Sequence, residues 1–290
     1  MTLLSSARER FVNELTKKDR AKATILAYSK DIEQLISFAV RKKISDINEL
    51  NRSIIEEFLK NLSDNNYTKK TISRKINAIK TFSKYLLDEK LIETDPSQFI
   101  QHPKLEQNAP RILSKLEYRA LRDTVRDDVR TKAIVELLLQ AGLRISELAA
   151  IKLAHINIDE ETKKGTLQVP GSSSSKGRTI PLNNPAQEAI KDFLKERPEA
   201  KIDYLFVTKN GNPLLVRNIR ATLTRYFKQI QLDDVTVNDL RHTFVAEHLK
   251  RGASVLLVSK IAGHKRLTTT ENYLKYIDRK ESGLGELEEL

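Results

Sequence analysis

Apolar residues return every three or four positions through most of this chain and every second position in one stretch only. The pattern predicts a mainly α-helical protein with a small antiparallel β-sheet. Over residues 22–41 the apolar stripe runs through Ile25, Tyr28, Ile32, Leu35 and Ala39, one buried face of a helix. The next helix follows Asn51, a candidate cap, and carries Ile54, Ile55, Phe58, Leu59 and Leu62. Over residues 71–87, Ile72, Ile76, Ile79, Phe82 and Leu86 mark the inner side, while Lys69, Lys70, Arg74, Lys75, Lys80 and Lys84 crowd the start and the outer side. Such a charge run is ordinarily a solvated helix face.

Residues 101–110, QHPKLEQNAP, have a proline near each end and read as an extended linker. The expected organisation is therefore a helical domain over 1–108 and a second domain over 109–290. In the second, Ser114 and Glu117 form a capping box, and the helix over 129–141 buries Ile134, Leu137 and Leu138 and stops at Gly142. Arg144 emerges just after that junction, with Glu147 three residues on as a carboxylate able to orient it. The period then changes to two. Leu167 and Val169, then Ile180 and Leu182, flank a polar run from Gly171 to Gly177 and predict a β-hairpin.

Near the end of the chain, Phe244, Val245 and Leu249 predict a helix over 240–250, with Gly252 placed to cap its C-terminus. Ser254 caps a second helix with apolar positions Leu256, Leu257 and Ile261, which stops at Gly263 and leaves His264 in the turn. The hydroxyls of Thr268 to Thr270 are expected to cap a third helix, with Tyr273 in its first turn.

Composition narrows the partners. Among 290 residues, 51 Lys and Arg stand against 39 Asp and Glu, a formal charge of +12 that suits a polyanion, because each neutralised phosphate releases condensed counterions. The absence of cysteine excludes disulfides and thiolate zinc sites, and the five histidines (His102, His155, His242, His248, His264) form no recognisable metal pattern. The N-terminus turns polar after two leucines, and no apolar run approaches the roughly 18 residues of a membrane span, so a cytoplasmic protein is expected.

The chemistry concentrates in residues 238–277, where Arg241, His264 and Tyr273 supply two cationic or hydrogen-bonding groups and a hydroxyl, a set suited to a phosphodiester. The run Leu240-Arg241-His242-Thr243-Phe244, then Gly263-His264, then Tyr273 nine residues after that histidine resembles the C-terminal signature of the tyrosine recombinase (phage integrase) family. Gly142-Leu143-Arg144-Ile145-Ser146-Glu147-Leu148 resembles that family's other arginine box. The likeness covers nearly the whole chain and is most similar to the Xer type.

The resemblance implies an all-helical, SAM-like core-binding domain and a mixed α+β catalytic domain that together clamp double-stranded DNA. Tyr273 is then the nucleophile, Arg144, Arg241 and His264 hold the phosphate, and Lys69, Lys70, Arg74 and Lys75 are candidate DNA contacts. Neither metal nor nucleotide cofactor is implied. The implied assembly is a tetramer on paired recombination sites, with the tail after Ile277 docking on a neighbouring subunit.

Two departures qualify the match. Ser172 to Ser174 occupy the usual position of the hairpin lysine, which leaves Lys176 as the candidate acid for the leaving oxygen. Asn238 stands where a histidine is usual, and an amide can donate a hydrogen bond but cannot shuttle a proton near neutral pH. These departures leave a recombinase-derived DNA-binding protein of weakened activity as an alternative; a topoisomerase-like nicking-closing enzyme, which would form the adduct without needing paired sites, is a second. Tyr276 is a rival nucleophile at a spacing from His264 that does not match the family.

Overall fold

The structure, a computed structural model, describes residues 2–106, 108–171 and 176–277. The chain divides into two compact units, Met1–Gln107 and Asn108–Leu290, each around its own hydrophobic core.

The first unit is helical: α1 (Leu4–Lys17), α2 (Lys22–Arg41), α3 (Arg52–Asp64) and α4 (Lys69–Asp88). Asn51 caps α3 by accepting from the Ile54 N–H at 3.2 Å. Thr68 caps α4 through the Thr71 N–H, so that helix starts two residues before the apolar stripe indicates. Phe11 of α1 meets Phe82 of α4 edge-on, with ring centroids 5.2 Å apart.

Lys75 corrects the expected basic face. Only 2% of its side chain is exposed, and its ammonium donates to Asp31 Oδ1 at 2.8 Å and to Gln34 Oε1 at 2.5 Å. It belongs to the interior of the unit, because a buried ammonium needs a carboxylate to offset its lost hydration. Arg74 pairs with the same carboxylate from a half-exposed position, whereas Lys69 and Lys70 are exposed.

The second unit is built on two helices buried nearly all round, including several polar side chains. These are α6 (Val129–Gln140), which follows α5 (Lys115–Thr124), and α10 (Val237–Lys250). A short α7 (Ile145–Ala149) leads to an antiparallel sheet in the order β1 (Ile156–Ile158), β2 (Gly165–Val169), β3 (Arg178–Leu182), with Leu167 opposite Ile180. The strand β1 is three residues long, too short to show a period in the sequence. Two helices, α8 (Asn184–Glu196) and α9 (Val216–Gln229), precede α10, and α11 (Val255–Ala262), α12 (Leu267–Glu271) and a 3-10 turn (Asn272–Tyr276) follow it.

Three expectations about the last helices change. The α10 helix starts at Val237, so Asn238 sits in its first turn. The inner face of α11 is Val258, Ile261 and Ala262, while Leu256 is 69% exposed. Thr268 to Thr270 cap nothing at the start of α12, and Tyr273 lies in the 3-10 turn after that helix. No helix among the described residues is long and apolar enough to cross a membrane.

Candidate active site

The site begins at the turn after α6. Gly142 has φ +58°, and a Cβ there would meet the Phe244 ring at 2.3 Å, so both its backbone and its lack of a side chain are required. Arg241, one helical turn before Phe244, donates to the Gly142 carbonyl. The two arginine-bearing motifs, about a hundred residues apart in sequence, are thereby fixed to each other: Phe244 packs on the turn and Arg241 bonds to it.

Arg144, two residues beyond that turn, caps α7. Its backbone N–H donates to Glu147 Oε2 and its guanidinium to Glu147 Oε1, both at 2.9 Å, and the guanidinium also reaches the Gly263 carbonyl at 2.6 Å. Glu147 is shared. Arg178, at the start of β3, donates to both of its carboxylate oxygens at 2.9 Å and to the Ile261 carbonyl at 2.6 Å. Gly263 closes α11 in the left-handed conformation, and a Cβ on it would lie 2.7 Å from the Arg178 guanidinium. The start of α7, strand β3 and the end of α11 are therefore tied together by one carboxylate and two arginines.

Arg178 was not singled out by sequence reasoning, although a signal exists. It falls in phase with Ile180 and Leu182, so an arginine occupies an inward position of a strand. Only 7% of its side chain is exposed.

Burial alone would raise the Glu147 carboxyl, but hydrogen bonds from Arg178 and from the Arg144 backbone, with the charges of both, hold it down to about 2. Arg241 is lowered to about 10 by burial and by the Arg144 charge, and is still cationic at neutral pH. Among the described residues it has no carboxylate partner within ion-pair distance. Buried unpaired guanidinium charge beside two further arginines is a place where an anion is stabilised.

His264, pushed down to about 4 by burial and then by Arg241 and Arg144, is neutral at pH 7 and shares a hydrogen bond between its Nδ1 and the Thr270 hydroxyl at 2.7 Å. The Tyr273 ring lies nearly parallel to it, with centroids 6.4 Å apart. Tyr273 is 7% exposed, and burial raises its phenol, with Arg241 pulling the other way. Its hydroxyl is 2.5 Å from His242 Nδ1, a contact that sequence reasoning did not anticipate.

Of the residues singled out from sequence, Arg144, Glu147, Arg241, His264 and Tyr273 thus share one neighbourhood. Asn238 is exposed in the first turn of α10, and Lys176 is exposed two residues before β3. Ser172 to Ser174 lie outside the described residues, as does the tail after Ile277. Among the described residues, no group of three or more His, Cys, Asp or Glu is arranged to hold a metal ion.

A phage integrase family profile matches residues 105–279, and a phage integrase N-terminal SAM-like domain profile matches residues 9–90. The chain belongs to the phage integrase family. A "tyrosine recombinase XerC" of Natranaerobius thermophilus is 32% identical over 271 residues, covering 89% of each chain. A "tyrosine recombinase XerD" of Halalkalibacterium halodurans is 31% identical over 261 residues, covering 86% of each. In fold, the chain is similar to the Tn1549 transposon integrase solved with transposon right end DNA, at TM-score 0.75 and 18% identity over 92% of this chain and 94% of that one. With family membership comes the activity: the chain is an Xer-like tyrosine-type site-specific recombinase, which cleaves and rejoins DNA.

Proposed function

We propose that Tyr273 is the nucleophile of that reaction and that Arg144, Arg241 and His264 bind the scissile phosphate. The supporting observation is the assembly of a buried tyrosine, a neutral histidine and two arginines from separate motifs, with Arg241 lacking a described carboxylate partner. Tyr273 Oη attacks phosphorus and the bond to the 5′ oxygen breaks, giving a 3′-phosphotyrosyl ester that conserves the energy for rejoining. The two guanidiniums face the non-bridging oxygens as charge rearranges. Glu147 sets the plane of Arg144. Lys176, two residues before β3 in the connection between the hairpin strands, supplies the proton to the leaving oxygen, and Asn238 donates a neutral hydrogen bond to the phosphate.

The DNA partner is a duplex carrying paired recombination sites, and Lys69, Lys70 and Arg74 contribute phosphate contacts from the first unit. Relatives in this fold class have been solved on DNA as a dimer at a core site, in the case of lambda integrase, and before cleavage, in the case of XerH. A tetramer joined through the tail after Ile277 is the assembly that completes strand exchange.

A nicked suicide substrate tests the nucleophile. Tyr273→Phe is expected to form no covalent adduct while Tyr276→Phe forms it; the reverse result reassigns the nucleophile. Supercoiled plasmids carrying none, one or two sites separate the readings: rearranged product only with two sites supports recombination, relaxation without sites indicates a topoisomerase-like enzyme, and no adduct at all a DNA-binding protein.

A further inference from the structure

We propose that His242 is a catalytic residue: its Nδ1 accepts the phenolic proton of Tyr273 as the phosphotyrosyl bond forms. The proposal rests on the assignment of Tyr273 as nucleophile. Its geometric basis is the 2.5 Å contact between His242 Nδ1 and Tyr273 Oη, made from one turn of α10 to the 3-10 turn that carries the tyrosine. The rings are tilted by 43° with centroids 5.8 Å apart, so they meet through the ring nitrogen and the hydroxyl rather than by stacking.

The other nearby groups fit the task less well. His264 Nδ1 is occupied by the Thr270 hydroxyl, and Asn238 carries an amide that takes up no proton near neutral pH. The charged and titratable groups around His242 are Asp239 and Arg241 on its own helix, Tyr273 opposite, and His264 from the turn after α11. Burial lowers His242, with Arg241 adding to the effect and Asp239 opposing it, so the imidazole is neutral at pH 7. A neutral ring bearing its proton on Nε2 presents Nδ1 as acceptor, and the phenol donates.

The step balances as follows. The Tyr273 O–H bond breaks and the proton passes to His242 Nδ1. The Oη–P bond forms, and the bond from phosphorus to the 5′ oxygen breaks, its electron pair leaving with that oxygen. The leaving 5′ oxygen takes its proton from Lys176; when an incoming 5′-hydroxyl later resolves the ester, its proton passes back to the Lys176 amine and the imidazolium returns its own to Tyr273 Oη. A positioned base of this kind is worth about 100- to 10,000-fold in rate.

The test is single-turnover cleavage of a suicide duplex by the full chain, with His242→Asn, which keeps a hydrogen-bond acceptor near the Nδ1 position but accepts no proton. Cleavage at pH 7 is expected to fall by about 100-fold or more, and to regain most of that loss when residue 273 is a fluorotyrosine, whose phenol is more acidic. A 5′-bridging phosphorothiolate, whose leaving group needs no acid, is expected not to restore it. Wild-type cleavage is expected to fall at acid pH through one protonation below the ordinary histidine value.

A His242→Asn variant that cleaves at the wild-type rate with an unchanged pH profile overturns the proposal. So does a wild-type rate that climbs about tenfold per pH unit without a plateau, a measurement independent of how the variant folds. An adduct formed by Tyr273→Phe instead overturns the nucleophile assignment beneath it.

Discussion

The two units each bury cationic side chains, with opposite results. In the first, Lys75 and Arg74 converge on Asp31, and Lys75 has Gln34 as well, so the buried ammonium is satisfied internally and holds α4 against α2. In the second, Arg144 and Arg178 converge on Glu147, but Arg241 finds only the Gly142 carbonyl among the described residues. A carbonyl satisfies a donor without cancelling its charge. A buried cation with its carboxylate serves the fold; one without a carboxylate is available to an anion from outside.

The sharpest test of this contrast is Arg241→Met. Cleavage is expected to fall about 100- to 1000-fold, while the thermal midpoint is unchanged or rises, since a buried uncompensated charge is removed. A variant that loses stability in step with activity would show that Arg241 is a structural residue. Next in size, Lys75→Met is expected to destabilise the first unit by about 3 kcal/mol, because Asp31 keeps only its half-exposed arginine. Cleavage by the folded fraction should be unaffected, measured by urea denaturation alongside active-site titration.

Acid should loosen the second unit. His248 and His264 are pushed down to about 4, chiefly by burial, whereas an unfolded histidine takes its proton near 6.5. The unfolded chain therefore binds more protons between those values, so stability is full above about 6.5 and falls as pH drops towards 4. Glu147, held to about 2, extends the loss to lower pH. Hydrogen exchange corrected for its intrinsic rate should show the second unit loosening by about 1 kcal/mol or more between pH 7 and 5. Smallest in effect, Lys70→Ala should lower the slope of log affinity against log salt by about 0.9 if that residue meets a phosphate. Lys75→Gln should leave the slope as it was.

The helical stripes, the capping box at Ser114 and the stop at Gly263 were legible in the sequence because each depends on neighbours within a few positions. Arg144, Arg241, His264 and Tyr273 were found through motif resemblance, and the link from Arg144 to Glu147 through spacing alone. What escaped depends on distant partners. Nothing near Lys75 in sequence reveals that Asp31 will draw it inward, since the pair is 44 residues apart. Likewise, Arg178 and His242 become functional candidates only when α11 and the 3-10 turn fold back over α7 and α10. Local hydroxyl chemistry makes Thr270 look like a helix cap, yet its side chain bonds to His264 six residues earlier.

Gly263 has a consequence for how this site tolerates change in chain length. Its carbonyl meets Arg144, its bare Cα makes room for Arg178, and its reversal of the chain aims His264. Adding or removing one residue within α11 would rotate this end of the helix by about 100° and carry all three relations out of alignment together. Homologues that vary in length should therefore gain or lose residues in the loops on either side and keep the helix itself at constant length.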